Sequence, residues 1–232
     1  MNRITLYQTS EHDCPYLPDQ KAITQFVDPA IIPDCKFYTH LSQHGFRRSG
    51  EHLYRPACSS CEACISTRLV VEAMTFSRNQ KRTIRRAQHF EYIHLKAFDS
   101  DEHYLLYENY INSRHAGGDM HPPTRELFSR FLLSNWADTY FFEIRHNTKL
   151  IACAVYDKVD GGISAVYCYF DPEYSQFSPG KLAILKQIQF AKESELKYLY
   201  LGYQINECDK MNYKTKFRQV EQFIKNNWQR ID

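Results

Sequence analysis

The chain has 232 residues, of which 43% are apolar and 15% aromatic, and its formal net charge is only +2. That is enough material for one large domain or two small ones with an ample core, and any affinity for nucleic acid must come from a local basic patch. No stretch reaches the length of about 18 apolar residues that a membrane span needs. The opening Met1-Asn-Arg-Ile-Thr has no apolar segment behind its charge and so does not read as a signal peptide. The expectation is a cytoplasmic protein whose eight cysteines are free thiols or metal ligands rather than disulfides.

In chain order, the first 35 residues are rich in Pro, Asp and Cys and read as loops around short elements. Phe37 to Gly45 reads as a helix stopped by glycine. Strands are expected over His52–Pro56 and Ile65–Glu72, flanking a cysteine cluster. Ser77 is a suitable N-cap for a basic helix reaching about Gln88, and Phe90–Ala97 reads as a strand. Asp101–Arg114 and Thr124–Ser134 place apolar residues at three- and four-residue spacing, as helices do. Strands follow at Tyr140–Arg145, Leu150–Lys158 and Ile163–Phe170, the last two joined by a Gly161-Gly162 turn. Ser178-Pro-Gly opens a long helix to about Ser194. Tyr198–Gln204 is then a strand with an internal glycine, Lys210–Phe217 a short helix and Val220–Asn226 a last strand. This order gives an α/β (α+β) chain. It pairs an acetyltransferase-like (GNAT) C-terminal domain, residues 98–232, with a smaller Cys-containing N-terminal domain, residues 1–97.

Five local patterns carry chemistry. Cys58-x-x-Cys61-x-x-Cys64 gathers three thiols within one turn, suited to zinc or an iron–sulfur centre, with Cys14 the natural fourth ligand and His52 and Cys35 in reserve. The alternative is a set of reduced thiols that holds nothing. Arg78, Lys81, Arg82, Arg85 and Arg86 fall on a helical arc of roughly 140° with no acidic residue among them, a stripe able to track phosphates. Its plain alternative is a solvated face. Gly45-Phe-Arg47-Arg48-Ser-Gly50 sets two guanidinium forks, suited to carboxylate or phosphate, between glycines. His115 ends a helix, either as a proton acceptor or as a cap. Tyr200-Leu-Gly202-Tyr203 and Lys210-Met-Asn-Tyr213-Lys214 suggest a bulged strand whose end lines a cleft. The loop before the long helix has only one glycine, Gly180, where acetyl-CoA enzymes carry a glycine-rich pyrophosphate cradle.

Together these residues resemble the arginyl-tRNA–protein transferase family, and most closely its bacterial branch, the aspartate/glutamate leucyltransferases. The matching stretches run from Cys14-Pro-Tyr-Leu-Pro through Gly-Phe-Arg-Arg-Ser-Gly, Tyr54-Arg-Pro-x-Cys-x-x-Cys-x-Ala-Cys, Arg114-His115, Ser164-Ala-Val-Tyr167, Tyr-Leu-Gly-Tyr and Lys-Met-x-Tyr-Lys. They keep the family's order over nearly the whole chain. The resemblance implies an acetyltransferase-like catalytic fold and a leucyl-tRNA donor. The acceptor it implies is the α-amine of proteins with N-terminal Asp or Glu, which are thereby marked for degradation. It departs at the metal: eukaryotic members open with a Cys-x-x-Cys pair, whereas Cys14 is followed by Pro-Tyr-Leu.

The chemistry so implied needs no cofactor and no covalent enzyme intermediate, because the aminoacyl ester is already activated. Tyr167, Tyr203 and Tyr213 are expected to hydrogen-bond the reacting centre, with His115 moving a proton. Arg47, Arg48 and Lys214 are expected to hold the acceptor's carboxylate, and the basic stripe the tRNA. An N-acetyltransferase or a non-enzymatic RNA-binding module would be the rival readings.

Overall fold

The computed structural model describes residues 4–231. Its N-terminal part opens with β1 (Leu6–Gln8), β2 (His12–Asp13), β3 (Lys21–Ala22) and β4 (Thr24–Val27), strands too short to show a period in sequence. Helix α1 (Cys35–Gln43) starts at Asp34, whose carboxylate accepts the Phe37 amide at 2.7 Å, and Gly45 lies just past its end. Then follow β5 (Arg47–Ser49), β6 (His52–Pro56), β7 (Ile65–Val70), α2 (Arg78–Arg86) and β8 (Glu91–Lys96). Helix α2 carries a full capping box between Ser77 and Gln80, which fixes its start. The rest comprises α3 (Asp101–Arg114), α4 (Arg125–Leu132), β9 (Thr139–His146), β10 (Lys149–Val159), β11 (Gly162–Phe170), α5 (Pro179–Glu193), β12 (Tyr198–Gln204), β13 (Val220–Ile224) and β14 (Asn227–Arg230), with single 3₁₀ turns at Pro172–Phe177 and Asn212–Lys216. These bounds follow the expected elements closely. The additions are β1 to β5, β14 and the turn at Pro172.

The main sheet has eight strands in the order β14-β13-β7-β12-β11-β10-β9-β8, and a smaller sheet has the order β1-β4-β6-β5. Strands β7 and β8 lie before residue 98 yet belong to the main sheet, so the division at residues 97 and 98 does not coincide with a sheet boundary. The main sheet is covered on both faces, as the two-residue period of its strands dictates. On β9, Phe142 and Ile144 pack with Leu182, Leu185 and Ile188 of α5. Phe141 turns the other way, onto Tyr107 and Ile111 of α3 and Phe128 and Leu132 of α4. Each such fully buried side chain contributes roughly 1.5–3 kcal/mol. A third cluster beneath α1 joins Tyr38, Leu41, Phe46 and Leu53 to Val159 and Tyr200, tying the small sheet to the large one. Strands β11 and β12 are parallel with α5 as their crossover, the acetyltransferase-like arrangement expected from the element order. No helix among the described residues is long and apolar enough to cross a membrane.

Candidate active site

Strands β11 and β12 pair only over Gly162–Ser164 against Tyr198–Tyr200. Beyond that point β11 continues to Phe170 and β12 to Gln204 without bonding each other, so the two open into a wedge. On its far side β12 stays paired to β7, with a register shift between Tyr200 and Gly202.

Arg47 of β5 reaches into the crotch of this wedge. Its Nη1 donates to Ser164 Oγ at 3.0 Å and its Nη2 to the Ala165 carbonyl. Gly202 lies against it: the residue has φ +81, and a Cβ there would be in van der Waals contact with the guanidinium, 3.4 Å from Arg47 Nε. The glycine inside the strand is called for by its left-handed backbone, which other residues rarely adopt. Arg47 is buried, yet among the described residues no carboxylate lies within ion-pair distance of it. Lys214, on the turn after β12, is buried beside it and also lacks a carboxylate. Its Nζ donates to the Tyr203 carbonyl at 2.5 Å and to Met211 Sδ at 3.5 Å. Burial, and then the Arg47 charge, push its pKa down to about 8.

Arg48, its neighbour on β5, grips Asp157, the register partner of Ser164 across β10 and β11. Its Nε meets Asp157 Oδ2 at 2.6 Å and its Nη2 meets Asp157 Oδ1 at 2.8 Å, with both side chains fully enclosed. Further donors are taken by the Gly50 and Leu132 carbonyls. The geometry corrects the expectation that Arg48 binds an acceptor: its fork is already filled, and it is part of the frame. Gly50 itself has no space for a side chain, since a Cβ would fall 2.2 Å from the Arg130 carbonyl.

The expected tyrosines divide in the same way. Tyr203 spends its hydroxyl on the backbone, donating toward the Gly45 carbonyl at 2.9 Å and lying 3.2 Å from that of Tyr54. It therefore ties β12 to the small sheet and is not free for substrate. Tyr167, on the splayed part of β11, has a buried hydroxyl with no hydrogen-bond partner, and burial raises its pKa above that of a free phenol. Tyr213 remains accessible, with Lys214 Nζ 5.1 Å from its ring centroid. His115 follows the last residue of α3, its ring 5.2 Å from that of Tyr110, which in turn lies 4.8 Å from Phe170 of β11. Burial first, then Lys210 and Arg114, hold the His115 pKa below its usual value, so near neutral pH its ring favours the uncharged form, able to accept a proton. Arg47 and Lys214 thus lie together at the wedge with Tyr213 beside Lys214, while Tyr167 packs with Tyr107, Tyr110 and Phe131 on the side of α3 and α4, next to the Tyr110 that His115 touches.

Two expected groups lie apart from it. Arg78, Lys81, Arg82, Arg85 and Arg86 are all exposed along α2, which packs on α5 through the side holding Ile84. None of the five is ion-paired to a carboxylate among the described residues, so the stripe is an unneutralised basic face. Cys14, Cys58 and Cys61 do gather near Cys64, and Cys208 joins them. Burial, followed by these four neighbouring thiols, pushes Cys64 up to about 12. As arranged, however, they do not form a metal cage. Cys14 Sγ accepts the Leu17 amide at 3.4 Å and Cys58 Sγ donates to the Ile23 carbonyl at 3.8 Å. Among the described residues no three Cys, His, Asp or Glu side chains are placed to hold one ion. The participation of Cys208 is not visible in sequence, because a chain separation of about 150 residues gives no local signal.

The sequence matches two family descriptions in tandem. "Arginine-tRNA-protein transferase, N terminus" covers residues 12–82, and "Arginine-tRNA-protein transferase, C terminus" covers residues 102–224. The chain belongs to the arginine-tRNA-protein transferase family. Within it, the chain is 44% identical over 229 residues to a protein of Saccharophagus degradans named aspartate/glutamate leucyltransferase, covering 98% of this chain and 97% of the relative. A relative of the same name from Stutzerimonas stutzeri is 46% identical over 226 residues, covering 97% and 96%. Among solved structures there is a partial likeness to the C-terminal domain of a putative lysylphosphatidylglycerol synthetase from Agrobacterium fabrum. That likeness has a TM-score of 0.48 at 11% identity, over 72% of this chain and 50% of that one. FemX gives a TM-score of 0.47 at 9% identity, over 75% and 61%. For a transferase of this family, the wedge between β11 and β12 is the candidate active site.

Proposed function

We propose that this chain transfers leucine from leucyl-tRNA to the α-amine of proteins that begin with Asp or Glu, in the cytoplasm, marking them for degradation. The observation that carries the acceptor half is the pair of buried cations, Arg47 and Lys214, with no carboxylate of their own at the wedge. A buried guanidinium is costly unless its charge is met, and an acceptor's acidic side chain would meet it through charge-assisted hydrogen bonds. The names of the relatives supply the donor, leucine.

In the reaction the acceptor nitrogen bonds to the ester carbonyl carbon. The bond from that carbon to the terminal ribose oxygen then breaks, and the proton lost by the amine ends on that oxygen. An α-amine with pKa near 8 is only roughly one-tenth neutral at pH 7, so the site must both accept its proton and hold the neutral amine against the ester. Tyr167 would donate its unpartnered hydroxyl to the developing oxyanion or to the departing oxygen, and His115 would accept the amine's proton. The exposed face of α2 would contact the tRNA backbone. The test is the acceptor series: in Arg47→Ala, kcat/KM for an Asp-initiated peptide should fall to the level of its Asn counterpart. If the variant keeps the parent's preference for Asp over Asn, Arg47 does not read the acceptor.

A further inference from the structure

Behind Arg47 lies a line of polar groups that the reaction itself does not call on. Arg47 Nη1 donates to Ser164 Oγ at 3.0 Å. Ser164 Oγ is 3.1 Å from the Tyr38 hydroxyl, and Tyr38 donates to Asp157 Oδ2 at 2.8 Å. Asp157 also receives Thr139 Oγ1 at 2.7 Å and the Arg48 fork. Tyr38 and Arg48 are buried, and Asp157 and Ser164 are wholly buried.

The donor inventory fixes the direction of the line. Tyr38 has one hydroxyl proton, and it goes to Asp157; Ser164 must therefore give its own proton to the Tyr38 oxygen. That leaves the Ser164 lone pairs for Arg47. Every member thus donates onward, from guanidinium to serine to tyrosine to carboxylate, and such chains polarise one another cooperatively. Burial and the Asp157 charge also raise the Tyr38 pKa, so the phenol keeps its proton. Asp157 is already neutralised by Arg48. The line consequently orients Arg47 without cancelling its charge. Ser164 is also the last residue of β11 in register with β12, so the line ends where the wedge opens.

We propose that Ser164, Tyr38 and Asp157 are positioning residues that fix the Arg47 guanidinium at the crotch of the wedge and so set how tightly an acidic acceptor side chain is held. This rests on Arg47 being the acceptor's anchor, as argued above. Tyr38 reaches the site from α1, an element that carries no group of the reacting centre.

The experiment uses the full chain with Tyr38→Phe, Ser164→Ala and Arg47→Met, plus the double variant Tyr38→Phe/Arg47→Met. Leucyl transfer to Asp- and Glu-initiated peptides is followed at steady state. Tyr38→Phe keeps the edge contact of the ring with Trp136, whose centroid lies 5.2 Å away, so it should fold, which circular dichroism checks. The expected result is a rise in acceptor KM of roughly 2- to 12-fold in Tyr38→Phe and Ser164→Ala, the net worth of one ordinary hydrogen bond in the line. kcat and the KM for leucyl-tRNA should stay within about twofold. In the Arg47→Met background, Tyr38→Phe should have no further effect. A general loss of kcat with acceptor KM unchanged would mark a merely structural role and overturn the proposal, as would an undiminished Tyr38→Phe effect in the absence of Arg47. The two readings fail separately. If Arg47→Met raises acceptor KM while Tyr38→Phe and Ser164→Ala do not, only the relay falls. If Arg47→Met itself leaves Asp selection intact, the anchor falls and the relay's purpose with it.

Discussion

Replacing the neighbouring arginines one at a time by methionine should have opposite consequences, although the two differ by a single position in β5. In Arg48→Met, Asp157 loses its two-point partner inside a fully enclosed pocket and keeps only the hydroxyls of Thr139 and Tyr38. Breaking such a buried pair costs about 3–5 kcal/mol. For a chain of this size each kcal/mol shifts Tm by about 2–4 °C, so a fall of roughly 6–20 °C is expected. In Arg47→Met the bonds to Ser164 Oγ and to the Ala165 carbonyl disappear, together about 3–6 kcal/mol for two bonds from a charged group. Removing a buried guanidinium that has no carboxylate offsets much of that. Net stability should therefore stay within about 2 kcal/mol of the parent, while kcat/KM for Asp peptides falls roughly 10- to 150-fold, the worth of a charge-assisted hydrogen bond of about 1.5–3 kcal/mol. Urea or thermal unfolding beside steady-state kinetics on the same preparations decides the matter. If Arg47→Met unfolds as readily as Arg48→Met and its surviving fraction selects Asp normally, the division between frame and anchor is refuted.

Four other outcomes are expected. Tyr167→Phe removes a buried hydroxyl with no protein partner, so it should leave Tm unchanged or slightly higher while kcat drops about 10²–10³-fold, the usual loss of one oxyanion donor; an unchanged kcat rules this donor out. Lys214 loses its proton as pH rises through about 8, so acceptor KM should climb above that pH. The climb should be absent in Lys214→Arg, whose charge persists, and a rise shared by both forms assigns it elsewhere. The same depressed pKa means that stability contributed by this group grows between about pH 8 and 10.5, where the unfolded chain still binds the proton and the folded one does not. On α2, Lys81→Glu with Arg82→Glu should raise KM for leucyl-tRNA and lower the salt dependence of binding by about one unit for each phosphate that is no longer neutralised. An unaltered salt dependence would place the tRNA on another face.

The long elements were legible because they carry a period. Asp101–Arg114 was expected at the bounds that α3 shows, and the glycine-bearing strand at those of β12. The short strands β1 to β4 were not, since two to four residues contain no repeat to read. β5 was missed for a different reason. Two adjacent arginines between glycines read as ligand-binding forks rather than as a strand, and only tertiary structure supplies the Asp157 and Ser164 that they meet. The same limit applies to the site. Arg47, Lys214, Tyr167, Tyr213 and His115 are singled out by residue type and local motif, and of these Arg47 and Lys214 lie side by side at the wedge. Arg47 and Arg48 could not be told apart, because the motif does not say which of the two neighbours meets the carboxylate of Asp157 and which meets the hydroxyl of Ser164. Tyr38, which no local motif marks, gains its part through hydrogen bonds to residues more than 100 positions away along the chain.

The most direct test of the account is transfer of labelled leucine, and separately of labelled arginine, from charged tRNA to peptides beginning with Asp, Glu, Asn or Ala. The account predicts leucine on the Asp and Glu peptides alone, with that selectivity lost in Arg47→Met. Arginine on those peptides would contradict the donor assignment. Equal leucine transfer to all four peptides would contradict the assignment of Arg47 and Lys214 as readers of an acidic N-terminal side chain.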